Sequence, residues 1–128
     1  MSRTSPDILL VEPSSLTGSI IVSTARQLNL PAVRQVNSVR NAQHQLAGKD
    51  FSGVIVSLEE MEAAVALLEQ VRSAQFSVAA DVPVAVTTAQ VDASTAVQMR
   101  ALQVRRVLLK PFKVRDVIAT IQMLKGAD

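Results

Sequence analysis

The chain has 128 residues, of which 48% are hydrophobic and 19% are charged, and its formal net charge is +2. This size suits one domain with a substantial core, and the composition excludes the disordered and fibrous classes of protein. The sequence has no cysteine, which excludes disulfide frameworks, thiolate zinc sites and cysteine nucleophiles. We expect a cytoplasmic protein with no membrane segment, because no apolar run approaches the roughly 20 residues that a spanning helix needs.

The first half of the chain alternates between short apolar runs and amphipathic stretches. Residues 7–12 (DILLVE) form a continuous apolar run, which is typical of a strand buried on both faces. Residues 14–29 carry apolar side chains at helical spacing after a pair of serines, and predict a capped helix. Residues 32–36 predict a second strand, 38–48 a second helix and 53–57 (GVIVS) a third, buried strand.

The second half continues the same alternation. Residues 59–75 give the clearest helical pattern, with acids in the first turn and an arginine near the last. Residues 82–88 predict a fourth strand, 92–104 a helix capped by an aspartate, 106–110 a fifth strand and 113–126 a last helix. Five strand–helix units predict an α/β fold with a doubly wound parallel sheet.

We interpret residues 1–128 as a single domain, with 1–6 as a disordered start. Doubly wound parallel sheets place their sites at the carboxyl ends of the strands. The candidate site residues at those ends are Glu12, Pro13, Ser57, Thr88, Lys110 and Pro111.

Two segments at these strand ends carry a family resemblance, namely PVAVTTA at 83–89 and LLKPF at 108–112. Together with the spacing of the other ends, they resemble the CheY-like receiver domain of response regulators in two-component signalling. The resemblance spans about residues 7–125. It implies a flavodoxin-like (βα)5 sandwich whose five parallel strands have the order 2-1-3-4-5.

Receivers are phosphorylated on an aspartate at the end of the third strand, beside a magnesium ion held by two adjacent acids after the first. By the resemblance, Ser57 stands at the aspartate position, and Glu12 and Pro13 stand at the two acids. Thr88 and Lys110 match the threonine and lysine of the family. The resemblance therefore implies a degenerate phospho-acceptor pocket, or pseudo-receiver.

The chemistry of these residues agrees with that interpretation. A serine hydroxyl is not ionised near neutral pH and needs a neighbouring base to become a nucleophile. One carboxylate beside a proline is a poor site for magnesium, which prefers octahedral oxygen ligands. We therefore expect no catalytic residue, no metal and no cofactor, and we expect Lys110 to form a structural ion pair with Glu12.

The charge distribution suggests where a partner binds. Residues 100–128 carry a net charge of +5, whereas the remainder carries −3. In receivers the last helix–strand–helix unit is the usual partner or dimer surface. The candidate partner surface is Arg105, Arg106, Val107, Lys113, Arg115 and Met123, with Met123 and Val114 facing outward from the last helix. Only three aromatic residues are present, which argues against nucleic acid as a ligand of this domain.

These observations favour a signal-transduction module that acts by protein–protein contact, with a protein partner or as a homodimer, and is neither an enzyme nor phosphorylated on aspartate. Two alternatives remain open. The first is a phospho-acceptor with relocated chemistry at Ser57, Glu59 or Glu60. The second is a small flavodoxin-like ligand-binding protein whose ligand lies in a cleft at the carboxyl ends of the strands.

Overall fold

The structure, a computed structural model, describes residues 7–125, so the start predicted to be disordered lies outside the described residues. Within that range strands and helices alternate, as the sequence predicted. The strands are β1 Ile8–Val11, β2 Val33–Val36, β3 Gly53–Ser57, β4 Val84–Thr88 and β5 Arg106–Leu109. The helices are α1 Ser15–Gln27, α2 Val39–Gly48, α3 Met61–Arg72, α4 Ala93–Ala101 and α5 Val114–Leu124.

The strands form one parallel sheet in the order β2-β1-β3-β4-β5. This is the flavodoxin-like (βα)5 arrangement that the family resemblance implied. The chain winds outward from β1 in one direction to β2 and in the other to β5, so β1 and β3 lie side by side at the switch point. The carboxyl ends of all five strands therefore share one edge of the sheet.

Helices cover both faces of the sheet. The face covered by α2, α3 and α4 contains Val56 and Val86, and the face covered by α1 and α5 contains Ile55 and Ala85. Successive residues of a strand point to opposite faces. A strand covered on both faces is therefore mainly apolar, which explains the apolar runs at Ile8–Val11 in β1, 53–56 in β3 and 84–86 in β4. Only the carboxyl ends of β3 and β4 are polar, at Ser57, Thr87 and Thr88.

Helix α1 buries a face that its apolar spacing did not indicate. Leu16, Ile20, Thr24 and Leu28 predicted the helix correctly, yet of these four only Thr24 is buried. Leu16, Ile20 and Leu28 are 74%, 45% and 49% exposed. The buried positions, which follow the three- and four-residue spacing of a helix, are Gly18, Ile21, Thr24 and Ala25. Small residues on either side of the buried Ile21 bring α1 close to the sheet, and Leu16 and Ile20 stay outside.

The fourth helix has the predicted cap but a shorter body. Asp92 Oδ1 accepts a hydrogen bond from the Thr95 backbone N–H at 2.7 Å, as expected of an N-cap. The helix ends at Ala101 instead of residue 104. Gln103 has a φ of 59°, a left-handed backbone conformation in which a right-handed helix cannot continue. None of the helices within residues 7–125 is long and apolar enough to span a bilayer.

Candidate functional site

Register places the predicted site residues along one edge of the sheet. Val11 of β1 is aligned with Val56 of β3, so the next residues, Glu12 and Ser57, lie side by side. Thr88, the last residue of β4, is aligned with Leu109, and Lys110 follows directly. The structure thus brings together Glu12, Ser57, Thr88 and Lys110 at the carboxyl edge.

The expected ion pair between Lys110 and Glu12 is present. Lys110 Nζ lies 3.3 Å from Glu12 Oε1, and the Glu12 side chain is fully buried whereas that of Lys110 is 25% exposed. Glu12 Oε2 accepts a hydrogen bond from the Ser14 backbone N–H at 3.1 Å. Within residues 7–125, Oε1 accepts no aligned hydrogen bond, so Lys110 acts on it as a nearby charge. The lysine therefore compensates a carboxylate that has no access to water.

A cleft of about 490 Å³ opens beside this pair. We call it the strand-end cleft; it is lined by Ser57, Glu59, Met61, Thr88, Ala89, Gln90, Val91, Asp92, Thr95 and Lys110. The pKa of Asp92 is lowered below its ordinary value, chiefly because the Thr95 backbone N–H donates to its carboxylate. The Asp92 carboxylate therefore contributes a negative charge to the lining of the cleft at neutral pH.

Both candidate hydroxyls in the cleft are engaged locally. Ser57 is 5% exposed, and its Oγ accepts a hydrogen bond from the Glu59 backbone N–H at 3.2 Å. Thr88 Oγ1 donates to the Gln90 backbone carbonyl at 3.0 Å. Among residues 7–125, no carboxylate or imidazole is hydrogen-bonded to Ser57 Oγ. The serine thus has no base that would turn its hydroxyl into a nucleophile.

The residues at the magnesium position of the receiver family do not fit that ion. Pro13 has no oxygen in its side chain, and the carboxylate of Glu12 is buried and paired with Lys110. Magnesium needs six well-placed oxygen ligands and binds protein mainly through carboxylates. Within the described part of the chain, no three His, Cys, Asp or Glu side chains are grouped as metal ligands would be.

The two prolines of the predicted pocket differ in their roles. Pro13 is exposed at the start of the loop between β1 and α1. Pro111 follows a cis peptide bond from Lys110 and starts the turn between β5 and α5. Phe112, the next residue, packs against the α1/α5 side of the core.

The predicted partner surface is charged and accessible in most of its members. Arg105, Lys113 and Arg115 are exposed, and Val107 is 36% exposed. Arg106 lies 3.9 Å from Asp116, so its charge is partly compensated.

One member of that surface is placed differently from the prediction. Met123 does not face outward: it is half-buried against the core on the α1/α5 side. The reason is its position in α5, next to the fully buried Leu124 and two residues after Ile121, on the margin of the buried stripe. Val114, which the sequence also placed outside, is 55% exposed.

Sequence reasoning placed Val107 on this surface but missed its other apolar members, Val97 and Leu109. Val107 and Leu109 lie on the α2/α3/α4 face of the sheet, because Val107 is aligned with Val86. Leu109 is 52% exposed there, and Val97 of α4 is 63% exposed. The predicted strand order 2-1-3-4-5 already indicated this exposure, because β5 is its last strand and lies at the edge of the sheet. In the structure, Met99 is the one residue of α4 that is buried. We call Val97, Arg105, Val107, Leu109, Lys113, Val114 and Arg115 the α4–β5–α5 face.

The fold has close counterparts among solved structures. A response regulator from Thermotoga maritima superposes with a TM-score of 0.82 at 20% identity, covering 97% of this chain and 100% of that one. A signal receiver domain from Clostridium thermocellum gives a TM-score of 0.82 at 12% identity, covering 97% and 100%. An orphan response regulator of H. pylori gives 0.81 at 16% identity, covering 98% and 100%.

Comparisons of sequence alone gave no match. No protein-family model matches the chain. No curated protein sequence matches it either. The likeness is therefore one of three-dimensional structure over nearly the whole chain: this protein has the fold of response-regulator receiver domains.

Proposed function

We propose that this protein is a signalling module of the receiver fold that works by protein–protein contact and is not phosphorylated on aspartate. The observation that carries the proposal is the pairing of Glu12 with Lys110 beside Ser57. In a phosphorylated receiver, the aspartate, its phosphoryl group and the magnesium ligands occupy these positions. Here the lysine charge is compensated by a buried glutamate.

Phosphotransfer to Ser57 lacks what such a reaction requires. The acceptor must be ionised or must pass its proton to a base as it attacks phosphorus. The Ser57 oxygen is instead an acceptor for the Glu59 amide, and the nearest strand-end carboxylate is engaged by Lys110. The geometry favours a fixed, constitutive conformation over a phosphorylation switch.

The α4–β5–α5 face supports contact with a protein. It combines exposed Val97, Val107 and Leu109 with exposed basic residues, which is the apolar centre and charged rim of a protein interface. An acidic partner complements this rim better than a second copy does, because a symmetric dimer brings like-charged arginines toward each other. We therefore favour an acidic protein partner over a homodimer.

Incubation with acetyl phosphate and magnesium, followed by intact-mass spectrometry, tests the chemical half of the proposal. We expect no gain of a phosphate, while a receiver domain that retains its aspartate gains one under the same conditions. A phosphate mapped to Glu59, Glu60 or Ser57 would instead establish the relocated-acceptor alternative. Contact of a protein partner with the α4–β5–α5 face is tested by photocross-linking. Variants that carry a photoreactive side chain in place of Val107 or Leu109 should cross-link to the partner.

A further inference from the structure

A second pocket lies at the opposite edge of the sheet from the strand-end cleft. It has a volume of about 460 Å³ and sits where α3 and α4 end and where β4 and β5 begin. We call it the arginine pocket; its lining is Arg72, Asp81, Arg100, Gln103, Val104 and Arg105. Of these residues, only Arg105 also belongs to the α4–β5–α5 face.

Arg72 is a fixed part of this pocket. Its Nε donates to the Leu102 carbonyl at 2.8 Å, and its Nη1 donates to the carbonyls of Ala80 and Val82 at 2.7 and 2.8 Å. Its Nη2 donates to the Gln103 carbonyl at 3.2 Å. A guanidinium has five N–H donors. Four are used by neutral carbonyls, which leaves one donor for a ligand and a positive charge that no hydrogen-bonded carboxylate among residues 7–125 cancels.

The other two arginines add positive charge that the protein does not compensate. Arg100 and Arg105 are exposed, and none of the ion pairs within residues 7–125 involves Arg72, Arg100 or Arg105. The pKa of Arg72 is lowered by burial first and by the Arg105 charge, while Asp81 raises it; a guanidinium nevertheless stays protonated. The arginine pocket thus holds three positive charges against the single carboxylate of Asp81.

We infer that the arginine pocket binds a small anion that carries more than one phosphate group. Arginine forks match the oxygens of phosphate bidentately. The guanidinium groups of Arg100 and Arg105, together with the one remaining donor of Arg72, offer more N–H groups than a single carboxylate with two oxygens can accept. Adjacent phosphate groups offer enough acceptor oxygens. The volume also suits a small ligand rather than a folded chain.

A nuclear magnetic resonance titration of the full chain with inorganic pyrophosphate at low ionic strength tests this inference. We expect saturable shifts of the backbone amides of Gln103, Val104 and Arg105, and weaker binding as salt is added. The double variant Arg100→Gln/Arg105→Gln should bind at least about tenfold more weakly, since charge-assisted hydrogen bonds are lost. Both side chains are exposed, so the variant should stay folded, and its amide spectrum reports whether it does.

The double variant Arg26→Gln/Arg40→Gln is the matched control, because it removes the same charge from exposed arginines elsewhere on the molecule. It should bind pyrophosphate about as tightly as the wild type does. Equal weakening in both double variants would overturn the inference and leave only attraction to a basic protein. Saturable binding of an acidic peptide at the same amides, without binding of pyrophosphate, would overturn it as well.

Discussion

Glu12 Oε1 of the β1 end lies 3.3 Å from Lys110 Nζ of the β5 end, so two side chains meet across the ends of β3 and β4. Taking a carboxylate out of water costs free energy, which only a close countercharge or hydrogen bonds offset. Glu12 has one of each: Lys110 at Oε1 and the Ser14 amide at Oε2. The lysine that begins the turn after β5 is thus part of the stability of the fold.

Lys110→Met should destabilise the protein, because Glu12 is then a buried charge with no countercharge. We expect a loss of about 2 kcal/mol in the free energy of unfolding, which is below the usual cost for a broken buried pair because Lys110 is partly exposed. Urea denaturation measures it. Glu12→Gln added to Lys110→Met should restore most of the loss, and Lys125→Met at an exposed lysine is the control. Equal stabilities of the two Lys110 variants would show that Glu12 does not depend on the lysine.

Ser57→Asp alone should not create a phosphorylatable receiver. The new carboxylate supplies the nucleophile, but Pro13 still offers no ligand for magnesium, and Glu12 remains engaged by Lys110. The mass after treatment with acetyl phosphate and magnesium should therefore equal that of the untreated variant. The triple change Pro13→Asp, Glu12→Asp and Ser57→Asp rebuilds the acids of the family and is the positive comparison. Efficient magnesium-dependent phosphorylation of the single variant would mean that Glu12 suffices as a ligand.

The sheet and the Glu12–Lys110 pair were predictable because each depends on a local rule with a strong physical cause. Strands covered on both faces are apolar over most of their length, and a partly buried lysine at a strand end needs an acid nearby. The buried face of α1 depends instead on which small residues let that helix approach the sheet, and the position of Met123 depends on how far the buried stripe of α5 extends around Ile121 and Leu124. The spacing of apolar residues alone predicted a buried stripe that includes Leu16 and Ile20, which are exposed. The contact between α1 and the sheet depends instead on Gly18, which packs against Gln35.

Gly18→Ala should be destabilising because a Cβ at this position collides with the side-chain amide of Gln35. That amide donates to the backbone carbonyls of Glu12 and Ser14 and holds the loop between β1 and α1. We expect a net cost of about 1 kcal/mol in thermal or urea unfolding, because the two hydrogen bonds lost when the Gln35 amide moves away outweigh the helix preference of alanine. Gly48→Ala is the matched control, since nothing lies within 4 Å of its added Cβ and alanine favours the helix. Equal effects of the two changes would contradict this account of Gly18.

Acid should loosen the start of α4. The pKa of Asp92 is lowered in the folded state by the Thr95 amide, so its contribution to stability is complete above the unfolded-state pKa of about 4. The contribution is lost as the pH falls through the lower, folded-state value. The Thr95 amide resonance should therefore shift in that acidic range. Asp92→Asn keeps a capping oxygen that does not titrate, so the same resonance should lose this pH dependence; if it titrates unchanged, another group is responsible.

The α4–β5–α5 face should bind its partner through two separable contributions. Charges at the rim chiefly set the association rate and its dependence on salt, whereas buried apolar groups set the dissociation rate. Arg105→Glu with Arg115→Glu should therefore weaken binding strongly at low salt and little at high salt. Val107→Thr with Leu109→Gln should weaken it by a similar factor at every salt concentration. Met123 is unsuitable for this test because it packs against the core.

Surface plasmon resonance across a salt series, with the partner recovered by photocross-linking, separates the two contributions. Leu16→Gln is the control, because Leu16 is 74% exposed on α1, outside the face. It should leave both rate constants unchanged. If Leu16→Gln weakens the complex while both face variants bind as the wild type does, the partner contacts α1. The α4–β5–α5 face would then be a solvated basic surface with no role in binding.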